Sequence, residues 1–188
     1  MQEAFKAEQR KVTVERLEVG ALILTVLSGE DGLVFKDGRT EKPKRLIIIG
    51  VDKDNEVCYG SVLVNTDMNP RANYSEEYLT AQYMLLQENY PEFLRYDSYA
   101  DCGVLFAIPI EKLLNGEYYG KLTDDDKINL FDILETTETL STKQKKRFSI
   151  KRRLCSYLKQ LHVQQLRQPP RITRSEESTI SIRLDIQA

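Results

Sequence analysis

The segment Lys-Pro-Lys-Arg-Leu-Ile-Ile-Ile-Gly at residues 42–50 constrains the fold more than any other stretch of the chain. Residues 46–49 are apolar, rich in β-branched side chains and bounded by Pro43 and Gly50, which predicts a buried strand rather than a helix. Asp-Lys-Asp-Asn-Glu at residues 52–56 is a turn, and residues 57–64 predict the returning strand. If the two strands pair, the start of the first lies beside the end of the second. Arg45 and Thr66 then become neighbours at one rim of a small sheet. A guanidinium presents a planar fork of donors that matches two phosphate oxygens, and a hydroxyl and an amide beside it suit the same ligand. Lys44 and Asn65 flank the pair and are candidates to hold a neighbouring phosphate.

A chain of 188 residues with 41% hydrophobic content can bury one sizeable core, so one domain with an appendage is expected. No run approaches the length of a membrane-spanning helix, and the first residues lack the apolar centre of a secretory signal. Three cysteines far apart (Cys58, Cys102, Cys155) and a single histidine, His162, give no metal-ligand spacing. A reduced cytoplasm is the expected location, without membrane association, and no metal or other cofactor is expected.

Charge is unevenly divided. Between Thr139 and Ser175 there is no carboxylate but eleven Lys or Arg, and with −2 overall the rest of the chain is left at −13. Lys151, Arg152 and Arg153 are the densest part of this segment. Such asymmetry points to a polyanion, to an acidic partner, or to the acidic part of the chain itself; a well-solvated helix is the plain alternative.

The remaining elements follow from periodicity and punctuation. A short helix is expected over residues 2–11, strands over 20–27 and 33–35, and a helix over 76–88 that stops before Pro91. Residues 99–110 predict a strand leading into a helix over 110–114 that Gly116 closes. Thr123 followed by three aspartates predicts a capped helix start, with carboxylates on the positive end of the dipole, in preference to a divalent-metal site. Ile128, Phe131, Ile133 and Leu134 form the apolar side of that helix, and an uncovered face there would favour a homodimer. Ile150, Leu154, Tyr157, Leu158 and Leu161 form one stripe of a basic helix ended by Pro169 and Pro170. Residues 180–186 alternate as a half-buried strand. The expected organisation is a domain over residues 1–140 and a basic helical extension with a terminal strand over 141–188.

In order, these segments resemble the MazF/PemK-like toxin ribonucleases. The resemblance covers about residues 18–137. It is carried by Gly-Ala-Leu-Ile at 20–23, by Pro-Lys-Arg-Leu-Ile-Ile-Ile at 43–49, and by Val-Leu-Val-Asn-Thr at 62–66. Leu-Arg-Tyr-Asp-Ser-Tyr-Ala-Asp-Cys at 94–102 and Gly-Lys-Leu-Thr-Asp-Asp-Asp at 120–126 complete it. What the resemblance implies is an α+β fold: a small SH3-like β-barrel with peripheral helices, to which this chain adds its basic extension. It further implies metal-independent cleavage of single-stranded RNA, with Arg45 and Thr66 in the catalytic positions, on a homodimer neutralised by an antitoxin.

The residues support that chemistry in part. When the 2′-OH of RNA attacks the adjacent phosphorus, negative charge grows on the phosphoryl oxygens, and a permanently protonated Arg45 can stabilise it. Thr66 can hydrogen-bond the phosphate or the attacking hydroxyl, while Lys44, Asn65, Lys151, Arg152 and Arg153 are the expected RNA contacts. No general base stands out. His162 reads as a solvated helix residue and Ser98 as a strand-start residue. Two other functions compete: a nucleic-acid-binding module on the same barrel without catalysis, and a protein–protein adaptor whose basic segment docks on an acidic partner. In both, Arg45 is only a strand-edge charge and Thr66 only a turn residue.

Overall fold

The computed structural model describes residues 8–35, 38–52, 54–65, 74–147 and 150. The chain divides into one unit over residues 1–155 and a second over 156–188. The described residues all belong to the first. Its fold is α+β, built on antiparallel strands, and no helix among the described residues is long and apolar enough to cross a membrane.

The strands are β1 (Ala21–Ser28), β2 (Glu41–Ile47), β3 (Gly50–Asp52), β4 (Val57–Asn65), β5 (Gln82–Leu85), β6 (Ser98–Asp101), β7 (Phe106–Pro109) and β8 (Glu117–Lys121). The helices are α1 (Glu76–Thr80), α2 (Ile110–Leu114), α3 (Asp124–Thr136) and α4 (Thr142–Arg147). The main path of the sheet runs β5-β6-β4-β2-β1-β8, with β3 and β7 also paired to β4. β4 serves both groups because it bends at Gly60. That residue has φ +67°, and the β4–β7 register shifts between Tyr59 and Ser61. A left-handed residue inside a strand is a bulge, and glycine adopts it without strain.

The apolar run at 46–49 does not form one strand. Pairing begins earlier, at Glu41, and stops at Ile47. Ile48 is then taken up by the entrance to β1: its N–H donates to Ala21 O at 3.0 Å and its carbonyl accepts from Gly20 N at 2.7 Å. The basic stretch around Lys42 is therefore part of β2. Pro43 is tolerated there because it stands opposite Val26, outside the described β2–β4 pairs, which run from Arg45 to Ile47.

The predicted helix over 76–88 ends at Thr80. Ser75 caps it by accepting from Tyr78 N at 3.3 Å, but residues 82–85 pair with β6 instead of continuing. Tertiary pairing overrides the local preference, and Leu85 gains complete burial by it. Residues 33–35 also form no strand, and Val34 is 88% exposed. Of the helix expected over 2–11, residues 8 and 9 are helical, and Lys11 already bridges to Glu117.

The strand expected over 99–110 is split into β6 and β7, which pair at different places on β4 because the chain turns at Cys102 and Gly103. The helix at 110–114 is α2, and the chain turns after it at Gly116, where a Cβ would lie 2.6 Å from Leu24 O. Thr123 caps α3, accepting from Asp126 N at 3.2 Å. Leu130, Phe131 and Leu134 on α3 are fully buried within the chain. Ile128 and Ile133, the other apolar residues expected on this side of α3, are partly buried.

Strand alternation sorts the core. Ala21, Ile23, Leu27, Leu46 and Ile48 join Cys58, Ile108, Ile110 and Leu113 in one cluster. Leu22 and Ile47, paired on the other face of their strands, are also buried, so β1 and β2 are covered on both sides at this end, while Val26 farther along is exposed. Arg45 emerges on this second face.

Candidate functional site

Arg45 stands opposite Leu24 in the β1–β2 ladder and opposite Val64 in the β2–β4 ladder. Leu24 also pairs with Glu117 of β8. Directly opposed residues share a face, so Arg45 and Glu117 flank Leu24 on one surface of the sheet. Above them lies the turn that follows Pro91, in which Phe93 N donates to Tyr90 O at 3.0 Å and Leu94 N to the same oxygen at 2.8 Å. This turn aims the Phe93 carbonyl at the sheet. Arg45 Nε donates to it at 2.5 Å, and the guanidinium carbon lies 5.8 Å from the centre of the Phe93 ring.

The stack continues. The Phe93 ring meets Tyr119 of β8 at 5.5 Å, tilted by 51°, and the Arg10 guanidinium covers the Tyr119 ring at 4.6 Å. Arg10 is brought there by its own backbone, whose carbonyl accepts from Tyr118 N at 2.6 Å. Its side chain reaches Glu92 at 3.4 Å and Glu117 at 3.7 Å. The Tyr119 hydroxyl donates to Glu117 Oε2 at 2.7 Å. Burial raises the Tyr119 pKa, helped by the bond to Glu117 and its charge, while Arg10 and Arg45 pull the other way. Among the described residues no carboxylate lies within ion-pair distance of the Arg45 guanidinium. The arrangement offers an oriented cation beside two aromatic rings.

Of the predicted site residues, Arg45 is the one this cluster contains. Lys44 pairs with Thr25 and, as the next residue along β2, leaves the opposite face of the strand. Asn65 ends β4 and pairs with Tyr99. Thr66, Lys151, Arg152 and Arg153 lie outside the described residues, as does His162. Sequence reading missed Arg10, Phe93, Glu117 and Tyr119. The two tyrosines between Gly116 and Gly120 were the available signal, since a short aromatic pair bracketed by glycines marks a strand with one ring on each face. Arg10, whose position comes from a bridge more than a hundred residues away in sequence, gave none.

The aspartates at the start of α3 are engaged locally. Asp124 pairs with Lys127 at 2.6 Å, and Asp126 accepts from the hydroxyls of Tyr83, Tyr90 and Thr123. Among the described residues no group of three or more His, Cys, Asp or Glu is placed to hold a metal ion.

No family model matches the chain, and no curated protein matches it.

Proposed function

We propose that this chain is a toxin-type endoribonuclease that cleaves single-stranded RNA without metal: at the Arg45 rim the 2′-OH attacks the adjacent phosphate and the 5′-oxygen leaves as a hydroxyl, giving a cyclic phosphate. One observation carries the reading: the Phe93 carbonyl holds Arg45 through Nε, which leaves the two terminal nitrogens of a pre-oriented fork for an anion. An arginine ordered before the substrate arrives costs little reorganisation when charge develops on the phosphoryl oxygens. Thr66, one residue past the end of β4, is the second group in this reading. The SH3-like barrel belongs to it as well: β4 bends at Gly60 and pairs with strands on both sides, while the path from β5 to β8 among the described strands does not close. The homodimer and the antitoxin partner rest on the resemblance to MazF/PemK-like toxins alone.

A second reading is favoured by Glu117. It is a carboxylate on the Arg45 face, and its Oε2 already accepts from the Tyr119 hydroxyl and lies 3.7 Å from Arg10, so it is engaged within the cluster. A protein with the clamp but no base would bind single-stranded RNA and leave it intact. Incubation of the purified chain with mixed-sequence RNA in chelator separates the two. Fragments ending in a cyclic phosphate support the nuclease, and RNA bound but uncut supports the binding module. RNA neither bound nor cut removes both.

A further inference from the structure

The Arg10–Tyr119–Phe93–Arg45 stack is held unequally at its two ends. Arg45 is tied to a backbone carbonyl, and Phe93 is buried. Tyr119 packs against buried Phe93 at 5.5 Å. Its neighbour Tyr118 packs on the core cluster, which sets the strand. Arg10 differs. It reaches Glu92 and Glu117 at 3.4 and 3.7 Å, and those side chains are 71% and 51% exposed. Ion pairs so exposed to solvent restrain a long side chain weakly. Arg10 is therefore the loosest member of the cluster, and it covers a ring that rests on buried Phe93. Planar cations and nucleobases both pack on an aromatic face.

We propose that the Tyr119 face covered by Arg10 is a slot for one nucleobase of single-stranded RNA, which enters between the ring and the guanidinium so that Arg10 becomes the outer cover of the base. The slot rests on the RNA reading above and adds the group that holds a base near the phosphate on Arg45. Stacking of this kind tolerates any base, because each has a π-face, and it excludes a duplex, whose bases are already stacked.

The test uses the full chain and two short single-stranded oligomers with 2′-O-methyl sugars, one carrying 2-aminopurine at every position and one abasic. The wild type is expected to bind the base-bearing oligomer about tenfold more tightly than the abasic one and to quench its fluorescence. Tyr119→Phe should keep both properties. Tyr119→Leu should bind the base-bearing oligomer only as tightly as the abasic one. Equal affinity of the wild type for both oligomers, or undiminished binding and quenching by Tyr119→Leu, overturns the slot while leaving the RNA reading in place. Failure of the wild type to bind either overturns both. Should Tyr119→Leu not fold, photo-crosslinking of wild type to 4-thiouridine RNA decides: adducts on residues 117–121 support the slot, and adducts only elsewhere overturn it.

Discussion

Lys112 and Asp31 form an ion pair that joins α2 to the loop leaving β1. The Asp31 side chain is only 5% exposed and also accepts from Ser28 N at 2.7 Å. Burial alone would raise the Asp31 pKa. The hydrogen bond from Lys112, the bond from Ser28 N and the Lys112 charge outweigh it and hold the carboxyl below its ordinary 3.8. A depressed folded-state pKa contributes stability that is complete above the unfolded value and lost as the pH falls through the folded one. Lys112→Met should cost about 2 kcal/mol in denaturant unfolding at neutral pH. The difference from wild type should shrink below about pH 4.

At the other end of the pH scale, Tyr83 and Tyr90 both donate to Asp126. Burial first, and then that carboxylate, push each phenol from 10.0 up to about 12. The unfolded chain therefore releases these protons before the folded one does, and stability should fall between about pH 10 and pH 12. Tyr90→Phe is expected to lose about 1.5 kcal/mol at neutral pH, because its hydroxyl also accepts from Thr123 N at 3.0 Å. It should flatten the alkaline loss when unfolding is measured across that range.

Lys145, in the basic segment, is engaged by the end of α3. Its ammonium donates to Glu135 O at 2.5 Å and Thr137 O at 2.6 Å, capping the end of α3. Lys145→Gln should lower stability by roughly 0.5–1 kcal/mol and leave the salt dependence of RNA binding nearly unchanged. Changing Lys151, Arg152 and Arg153 to Gln together should reduce the slope of log affinity against log salt by about 2, as expected for three contacts to a single strand. An unchanged slope in the triple variant would favour the adaptor function.

Cys58 and Cys102 are buried free thiols. Burial pushes Cys58 up to about 12 and raises Cys102 as well. Both should resist thiol reagents in the native chain and react only at the rate of unfolding, by mass spectrometry of alkylated peptides.

The parts of this fold legible in the sequence are those governed by local chemistry. Thr123 and the three aspartates mark the start of α3, and Pro43 through Gly60 mark the β2–β4 pairing that sets Arg45 opposite Val64. What was not legible depends on distant partners. Residues 82–85 carry no local mark that separates a strand from the tail of a helix, and β6 decides it. The break after Ile47 is set by hydrogen bonds to Gly20 and Ala21, which periodicity cannot register. The same holds at the site. Arg45 could be singled out from its neighbours, but Phe93, Tyr119 and Arg10 reach it from three other segments.

The central claim is that Arg45, oriented by Phe93, acts on a phosphate. It is tested most directly by the rate of RNA cleavage in chelator for wild type, Arg45→Ala and Arg45→Lys, all checked for native folding by circular dichroism. Arg45→Ala should be slower by about 10²-fold or more, and Arg45→Lys should recover little, because an ammonium has no Nε to bond the Phe93 carbonyl while presenting a fork. Cleavage by a folded Arg45→Ala protein at the wild-type rate would contradict the claim and leave Arg45 with a structural role alone.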